Sequence, residues 1–211
     1  MTMPDILINT ENIFLNRGIC ELLSEIAKEE HIREPYSVVD CSTDILDPID
    51  MLFTEMAAGE HYLCHPFFKK PPPHTSIFIF VATDSALQVE QLPLCLGDAT
   101  FISMNSDLRR VKNQIAKRLT ESTTSSCGGL EKDSRRCVKC PRLTLTKSQL
   151  YIINAIRTGM NNQQIAQKLG ISHKTIFSHK INIMKKFQIA TKQELTRFSS
   201  VALALSAGRI G

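Results

Sequence analysis

The chain lacks any apolar run of about 18 residues, so no segment reads as a membrane-spanning helix. Its opening, MTMPDILINTE, has no basic cluster leading into a long apolar core, so it does not read as a signal peptide and a cytoplasmic location is expected. The motifs of catalysis are missing too. There is no glycine-rich phosphate loop, no nucleophile elbow and no His-Glu metal motif, so the expectation is a protein that is not an enzyme, with no catalytic residue and no cofactor. Cysteines number seven, an odd count that fits reduced thiols in a cytoplasmic protein.

What remains is an ordinary soluble composition, 43% hydrophobic and 22% charged, in 211 residues, enough for two small domains. The net charge of +4 hides a division. Residues 1–120 carry 17 acidic against 10 basic residues, and residues 121–211 carry 4 against 15. The second half is therefore the one suited to a polyanion.

Within that half, the stretch 162–181 reads as two short helices joined by a tight turn. Ile165, Ala166 and Leu169 give the first an apolar stripe, and Gly170 follows where a positive φ is cheap only for glycine. Ile171 is expected to plug the angle between the helices, and Ser172 to cap the second. That second helix buries Ile176 and Ile183. It presents Lys174, Thr175, Phe177, Ser178, His179, Lys180 and Asn182, a face of cations, amides and hydroxyls without an acid. The pattern is a helix-turn-helix with its second helix placed to enter a DNA major groove. Asn162 joins the candidate DNA contacts. Lys180, Lys185 and Lys186 suit phosphates, whereas Thr175, Ser178 and Asn182 suit base edges, and Lys174 suits either. Phe177 has two open roles, contact with thymine methyl groups or simple packing.

The run from Leu145 to Leu195 resembles the LuxR-type (GerE-like) DNA-binding domain of bacterial transcription regulators. Leu145 and Thr146 match its opening, Gly159 its central glycine, and Asn161 or Asn162 through Ile165 and Ala166 its N-x-x-I-A. Ile171, Ser172, Thr175, Ile176 and His179 match its I-S-x-x-T-V-x-x-H, and Lys186, Phe187 and Ile189 its close. Gln149 stands where the family has glutamate, which predicts a weaker capping contact, and Phe177 stands where it has lysine. The wording SHK-x-N-I-M is similar to auxiliary regulators of capsule and surface-structure genes in enteric bacteria. The resemblance implies that His179 donates to a phosphate. It also implies that the fourth helix, with Leu195, Phe198, Ala202 and Leu205, forms a dimer surface. Four helices are predicted: Ser148–Arg157, Asn162–Leu169, Lys174–Lys186 and Gln193–Leu205.

The first half alternates strands and helices. Strands are predicted at 5–9, 36–40, 61–64, 76–82 and 100–104, and helices at 15–30, 47–57, 86–96 and 107–120, with an exposed proline-rich loop at 65–75. This order argues for a parallel sheet covered on both faces and resembles a response-regulator receiver of flavodoxin-like fold. The receiver's chemistry is not matched. The first strand leads into Asn9, Thr10 and Glu11 instead of an acidic pair. The expected third strand ends at Cys64 and His65 without an aspartate, and the lysine position falls at Met104 or Asn105. A degenerate receiver that takes no phosphate is the expectation. An autoinducer-binding domain, the other common companion of this DNA-binding module, resembles a longer sandwich with tryptophans lining its pocket, and this chain has none.

The expected organisation is thus an α/β flavodoxin-like domain over 1–120, a polar linker over 121–142, and an all-α four-helix domain over 143–206. The linker's Cys127, Cys137 and Cys140 offer three ligands where zinc wants four, so plain thiols are the simplest reading, with a redox switch and a structural zinc completed by a distant or dimer-shared ligand as the alternatives. No ligand spacing unites His61, His65 and His74. The implied protein is a transcription regulator binding promoter DNA as a dimer, with itself or with a related response regulator, and not a membrane. A ligand- or redox-sensing transcription factor is the rival.

Overall fold

The computed structural model describes residues 5–29, 37–39, 49–65, 68, 75–82, 87–122 and 139–207. The strands are β1 (Asp5–Asn9), β2 (Ser37–Val39), β3 (Met51–Met56), β4 (Ser76–Val81) and β5 (Thr100–Ser103). They form one sheet in the order β2-β1-β3-β4-β5, the flavodoxin-like order. Ile6 pairs in parallel with Val38 and Met51, and Phe78 with Thr100. Among the described residues of this half there are two α-helices, α1 (Ile13–Glu29) and α2 (Leu108–Ser122).

Alternation along the strands builds the core. Ile6 and Ile8, Met51 and Phe53, Phe78 and Phe80, and Ile102 share one face with Ile19, Leu22, Leu23 and Ile26 of α1 and Val111 and Ile115 of α2. Phe53 stacks on Phe78 with centroids 4.8 Å apart. On the opposite face Leu7, Leu52 and Ile79 are equally buried, so the central strands bury apolar residues on both faces. Lys112 bridges the two helices, 2.6 Å from Glu29 and 3.4 Å from Glu25.

Three expectations fail here. The helix predicted over 47–57 is strand β3 from Met51; residues 47 and 48 lie outside the described set. Its Met-Leu-Phe-Thr-Glu-Met wording favours a helix, but insertion between β1 and β4 buries Met51 through Thr54 consecutively, and tertiary packing overrides that propensity. The strand predicted over 61–64 is a single 3₁₀ turn, Glu60–Tyr62. The helix predicted over 86–96 is two such turns, Val89–Gln91 and Leu94–Leu96. Most of the proline-rich loop lies outside the described residues.

The chain divides into two compact units. The first holds 1–55, 71–84 and 98–132; the second holds 56–70, 85–97 and 133–211. The division departs from the expected 1–120, 121–142 and 143–206, because two excursions from the sheet pack with the C-terminal helices.

Those helices are α3 (Lys147–Arg157), α4 (Asn162–Leu169), α5 (His173–Lys186) and α6 (Lys192–Ala207). Gln149 closes a full capping box with Thr146, its Oε1 accepting from the Thr146 amide at 3.0 Å and its own amide donating to Thr146 Oγ1 at 3.3 Å. Glutamine thus serves where a weaker cap was expected. Ile152, Ile153, Ile165, Ile176, Ile183, Leu195 and Phe198 form the core, with the rings of Phe187 and Phe198 at 4.7 Å.

The turn after β3 docks on the end of α5. Gly59, at φ 81°, lies so close that a Cβ there would meet the Phe187 carbonyl oxygen at 2.7 Å. Tyr62, fully buried, donates to Gln188 Oε1 at 2.7 Å and accepts from the Gln88 amide at 3.1 Å, and its carbonyl accepts from the Leu143 amide at 2.9 Å. Gln188 stands at φ 54°, where glycine is favoured. Its amides close α5 in a Schellman pattern: Gln188 donates to the Lys185 carbonyl and Ile189 to the Met184 carbonyl. The left-handed residue here is a glutamine because its side chain holds Tyr62.

Two outcomes follow from this docking. In a Tyr62→Phe background, Gln188→Gly should raise stability by about 1 kcal/mol, the cost of a side chain in the left-handed region. In the parent it should lower stability, because a buried hydroxyl loses its acceptor, a cost of about 1–3 kcal/mol. Urea denaturation checks this; the same sign in both backgrounds refutes the trade. The second concerns pH. Burial depresses His61 from 6.5 to about 4, so the fold keeps it neutral while the unfolded chain protonates. Its contribution is complete above pH 6.5 and is lost as pH falls towards 4, up to about 3 kcal/mol in all. The stability difference between the parent and His61→Leu should change across that window and stay level outside it.

Candidate nucleic-acid interface

The turn between α4 and α5 is built by backbone chemistry. Asn161 and Gln164 form a reciprocal capping box at the start of α4, each bond 2.9 Å. Gly170, at φ 64°, ends α4, with the Ile171 amide donating to the Ala166 carbonyl at 3.1 Å and its own amide to Gln167 at 3.4 Å. Ser172 then caps α5, its Oγ accepting from the Thr175 amide at 3.0 Å. Ile171 does not plug the angle as expected. It is 37% exposed, whereas Ile165 and Ile176 on the two helices are fully buried.

Along α5, Ile176 and Ile183 are fully buried, as expected, and fix which side faces out. Lys174, Thr175, Phe177, Ser178, Asn182 and Lys185 are exposed, while His179, Lys180 and Lys186 are half-buried, as is Asn162 on α4. The helix holds no Asp or Glu. The exposed part of α5 is therefore cationic, but the commitments of its side chains differ. Thr175 Oγ1 lies 2.8 Å from Ser172 Oγ, and Ser178 Oγ donates to the Lys174 carbonyl at 3.1 Å. Both hydroxyls are engaged within the helix. Among the described residues, Lys174, Asn182 and Lys185 make no such bond, so their donors stay available.

Two lysines depart from a plain solvated state. Burial, with the neighbouring charge of Lys192, pushes the Lys180 ammonium below its ordinary value. Lys186, expected on a phosphate, donates to the Thr144 carbonyl at 2.7 Å and lies 5.8 Å over the Phe187 ring. It ties the end of α5 to the segment before α3.

Three of the four residues expected to form a dimer surface need correction. Leu195, Phe198 and Ala202 are 3%, 0% and 1% exposed and pack in the chain's own core beneath α3; only Leu205 keeps partial exposure. A helical apolar stripe marks a buried face without saying whose core it enters. Among the described residues no cluster of His, Cys, Asp or Glu suits a metal ion. Cys140 is half-buried, with its Sγ accepting from the Leu94 amide at 3.4 Å, while Cys127, Cys137 and His74 lie outside the described residues. No helix among the described residues is long and apolar enough to cross a membrane.

Oxygen regulatory protein NreC of Staphylococcus carnosus is 29% identical over 102 residues, 48% of this chain and 47% of that protein. The NreC of Staphylococcus epidermidis is 39% identical over 100 residues, 47% of this chain and 40% of that protein. The chain thus spans about half or less of the length of the curated relatives it matches. In fold, it is similar to RcsB from Salmonella enterica serovar Typhimurium bound to promoter P1flhDC, with a TM-score of 0.53 at 18% identity over 95% of this chain and 99% of that one. A structure of two RcsB dimers bound to two parallel DNAs gives a TM-score of 0.51 at 19% identity, with the same coverage of both chains. The family model of bacterial regulatory proteins, luxR family, matches residues 143–199, so this part of the chain is a DNA-binding domain of that family.

Proposed function

We propose that the chain is a sequence-specific regulator that binds promoter DNA through α5, as a dimer with itself or with a related response regulator, and that it works without phosphate. The exposed face of α5, with Lys174, Asn182 and Lys185 available and no acid on the helix, carries the reading. Asn182 reads a base edge, while Lys180 and Lys185 hold phosphates and fix the register. A phosphate near Lys180 offsets the cost of its partly desolvated charge. That cost is fully present below the folded-state pKa of the lysine and gone above its unfolded value, so it acts at neutral pH.

The receiver-like half supports control by something other than phosphorylation. A receiver's acceptor follows its third strand, and here β3 ends in Thr54, Glu55 and Met56, with no aspartate. Beyond β1 stand Thr10 and Glu11, and beyond β5 stand Met104 and Asn105 in place of a lysine. A divalent cation has at most one of its acidic pair, and a phosphoryl group no aspartate to receive it. What such a half retains is a surface for pairing, and two helix-turn-helix units on two half-sites gain affinity by tethering.

Lys180→Ala should weaken binding to all duplexes alike and lower the salt slope by about one unit, without reducing the melting temperature of the free protein. Asn182→Ala should instead blunt discrimination at one base pair, by about 1–3 kcal/mol. Fluorescence titrations over a salt series separate the two, and unchanged binding in both variants places the helix elsewhere. Incubation with acetyl phosphate and Mg²⁺ should leave the intact mass unaltered; a phosphoryl gain mapped to residues 1–120 refutes the phosphate-free reading.

A further inference from the structure

We propose that Phe177 makes this protein a thymine reader, its ring packing on the C5-methyl group of one thymine in the major groove; this rests on the DNA-binding role of α5 argued above. The ring is 51% exposed, so the fold leaves about half of its surface without a packing partner. It stands in the N-terminal half of α5, the part of a recognition helix that meets base edges. An aromatic ring left in water forgoes the stabilisation that burial gives it, so a second apolar surface is its natural complement.

The surroundings identify that surface. Lys174 and Lys180 stand three residues before and after Phe177, hence beside it on the helix. With no acid anywhere on α5, the occupant is a polyanion carrying an isolated apolar group. Unmodified DNA offers one such group on its major-groove edges, the thymine methyl. In this arrangement the two ammoniums reach phosphates on either side while the ring meets the methyl between them. The hydroxyls of Thr175 and Ser178 are already bonded within the helix, which leaves them chiefly acceptor lone pairs for a base and gives Asn182 and the ring the larger share of selectivity. Ile171, 37% exposed on the turn just before α5, adds a second apolar contact at the same end.

The test uses the full chain and short duplexes with a randomised core. Duplexes enriched by binding should hold thymine at a fixed position. Replacing that thymine by deoxyuridine, which removes only the methyl, should weaken binding about fourfold, the factor for one methyl-sized apolar group. Replacing it by cytosine and then 5-methylcytosine should restore part of the loss. Phe177→Ala should bind the thymine and uracil duplexes equally, and Phe177→Leu should keep part of the difference. Equal binding of the two duplexes by the parent overturns the proposal, as does a difference that survives Phe177→Ala. A Phe177→Ala variant that alters transcription but no duplex affinity overturns it in favour of a protein partner. Absence of any enrichment, with no salt-dependent binding, overturns the DNA role of α5 itself and is thereby told apart from a failure of the thymine contact alone.

Discussion

The position of α5 depends on two left-handed turns, one at each of its borders. Gly170 sets the angle at which the chain leaves α4, and Gln188 sets the angle at which it leaves α5. The two residues show different chemistry under one constraint. At Gly170 the pocket for a side chain is empty space, so the requirement is backbone alone. At Gln188 a side chain is kept despite the strain, because its carbonyl oxygen receives the buried hydroxyl of Tyr62. The reading helix is thus held by local hydrogen bonds at its start and by a bond spanning 126 residues at its end.

That contrast explains what could be read from residues alone. The four C-terminal helices were legible almost to the residue, since each has an amphipathic stripe and a nearby cap or stop. Ser172 and Gly170 announce themselves in any sequence. Strand β3 was not legible, because Met51 to Met56 lacks β-branched aliphatic residues and becomes a strand only between β1 and β4. Nor was the docking of 56–70 and 85–97 on the helical unit legible, as Tyr62 carries no sign of a partner so distant in sequence. At the site, spacing identified which residues share the outer face of α5. It did not tell that Lys186 bonds Thr144, that Thr175 and Ser178 are occupied, or that Leu195, Phe198 and Ala202 serve the chain's own core.

The β3 correction changes the geometry of the argument about phosphate without changing its chemistry. The strand end moves from Cys64 to Met56, and the residues there are Thr54, Glu55 and Met56. A carboxylate is present at that end of the sheet, but on glutamate, one methylene longer than the aspartate a receiver phosphorylates. The carboxyl edge of a parallel sheet is where open α/β folds place their ligands. Here that edge places Asn9 in register with Thr54 on the neighbouring strand, with Glu55 next along β3, polar groups without the paired acids a divalent cation requires.

The electrostatics of α5 show why this helix is unfinished by itself. Its N-terminal end carries the positive pole of the helix dipole, and the first turn adds Lys174 and no acid, so charge and dipole oppose each other there. Only the C-terminal end is favourably matched, by Lys185 and Lys186. In the middle, Lys180 is pressed by burial and by Lys192 towards losing its proton. A protein selected for stability alone would place a glutamate in the first turn of α5, as α6 does with Glu194. Glu194 accepts from the Ala190 and Thr191 amides and completes that helix internally. On α5 the Ser172 hydroxyl is the only such acceptor among the described residues, and in the proposed DNA complex a phosphate backbone supplies the missing anion at the N-terminus and at Lys180 together.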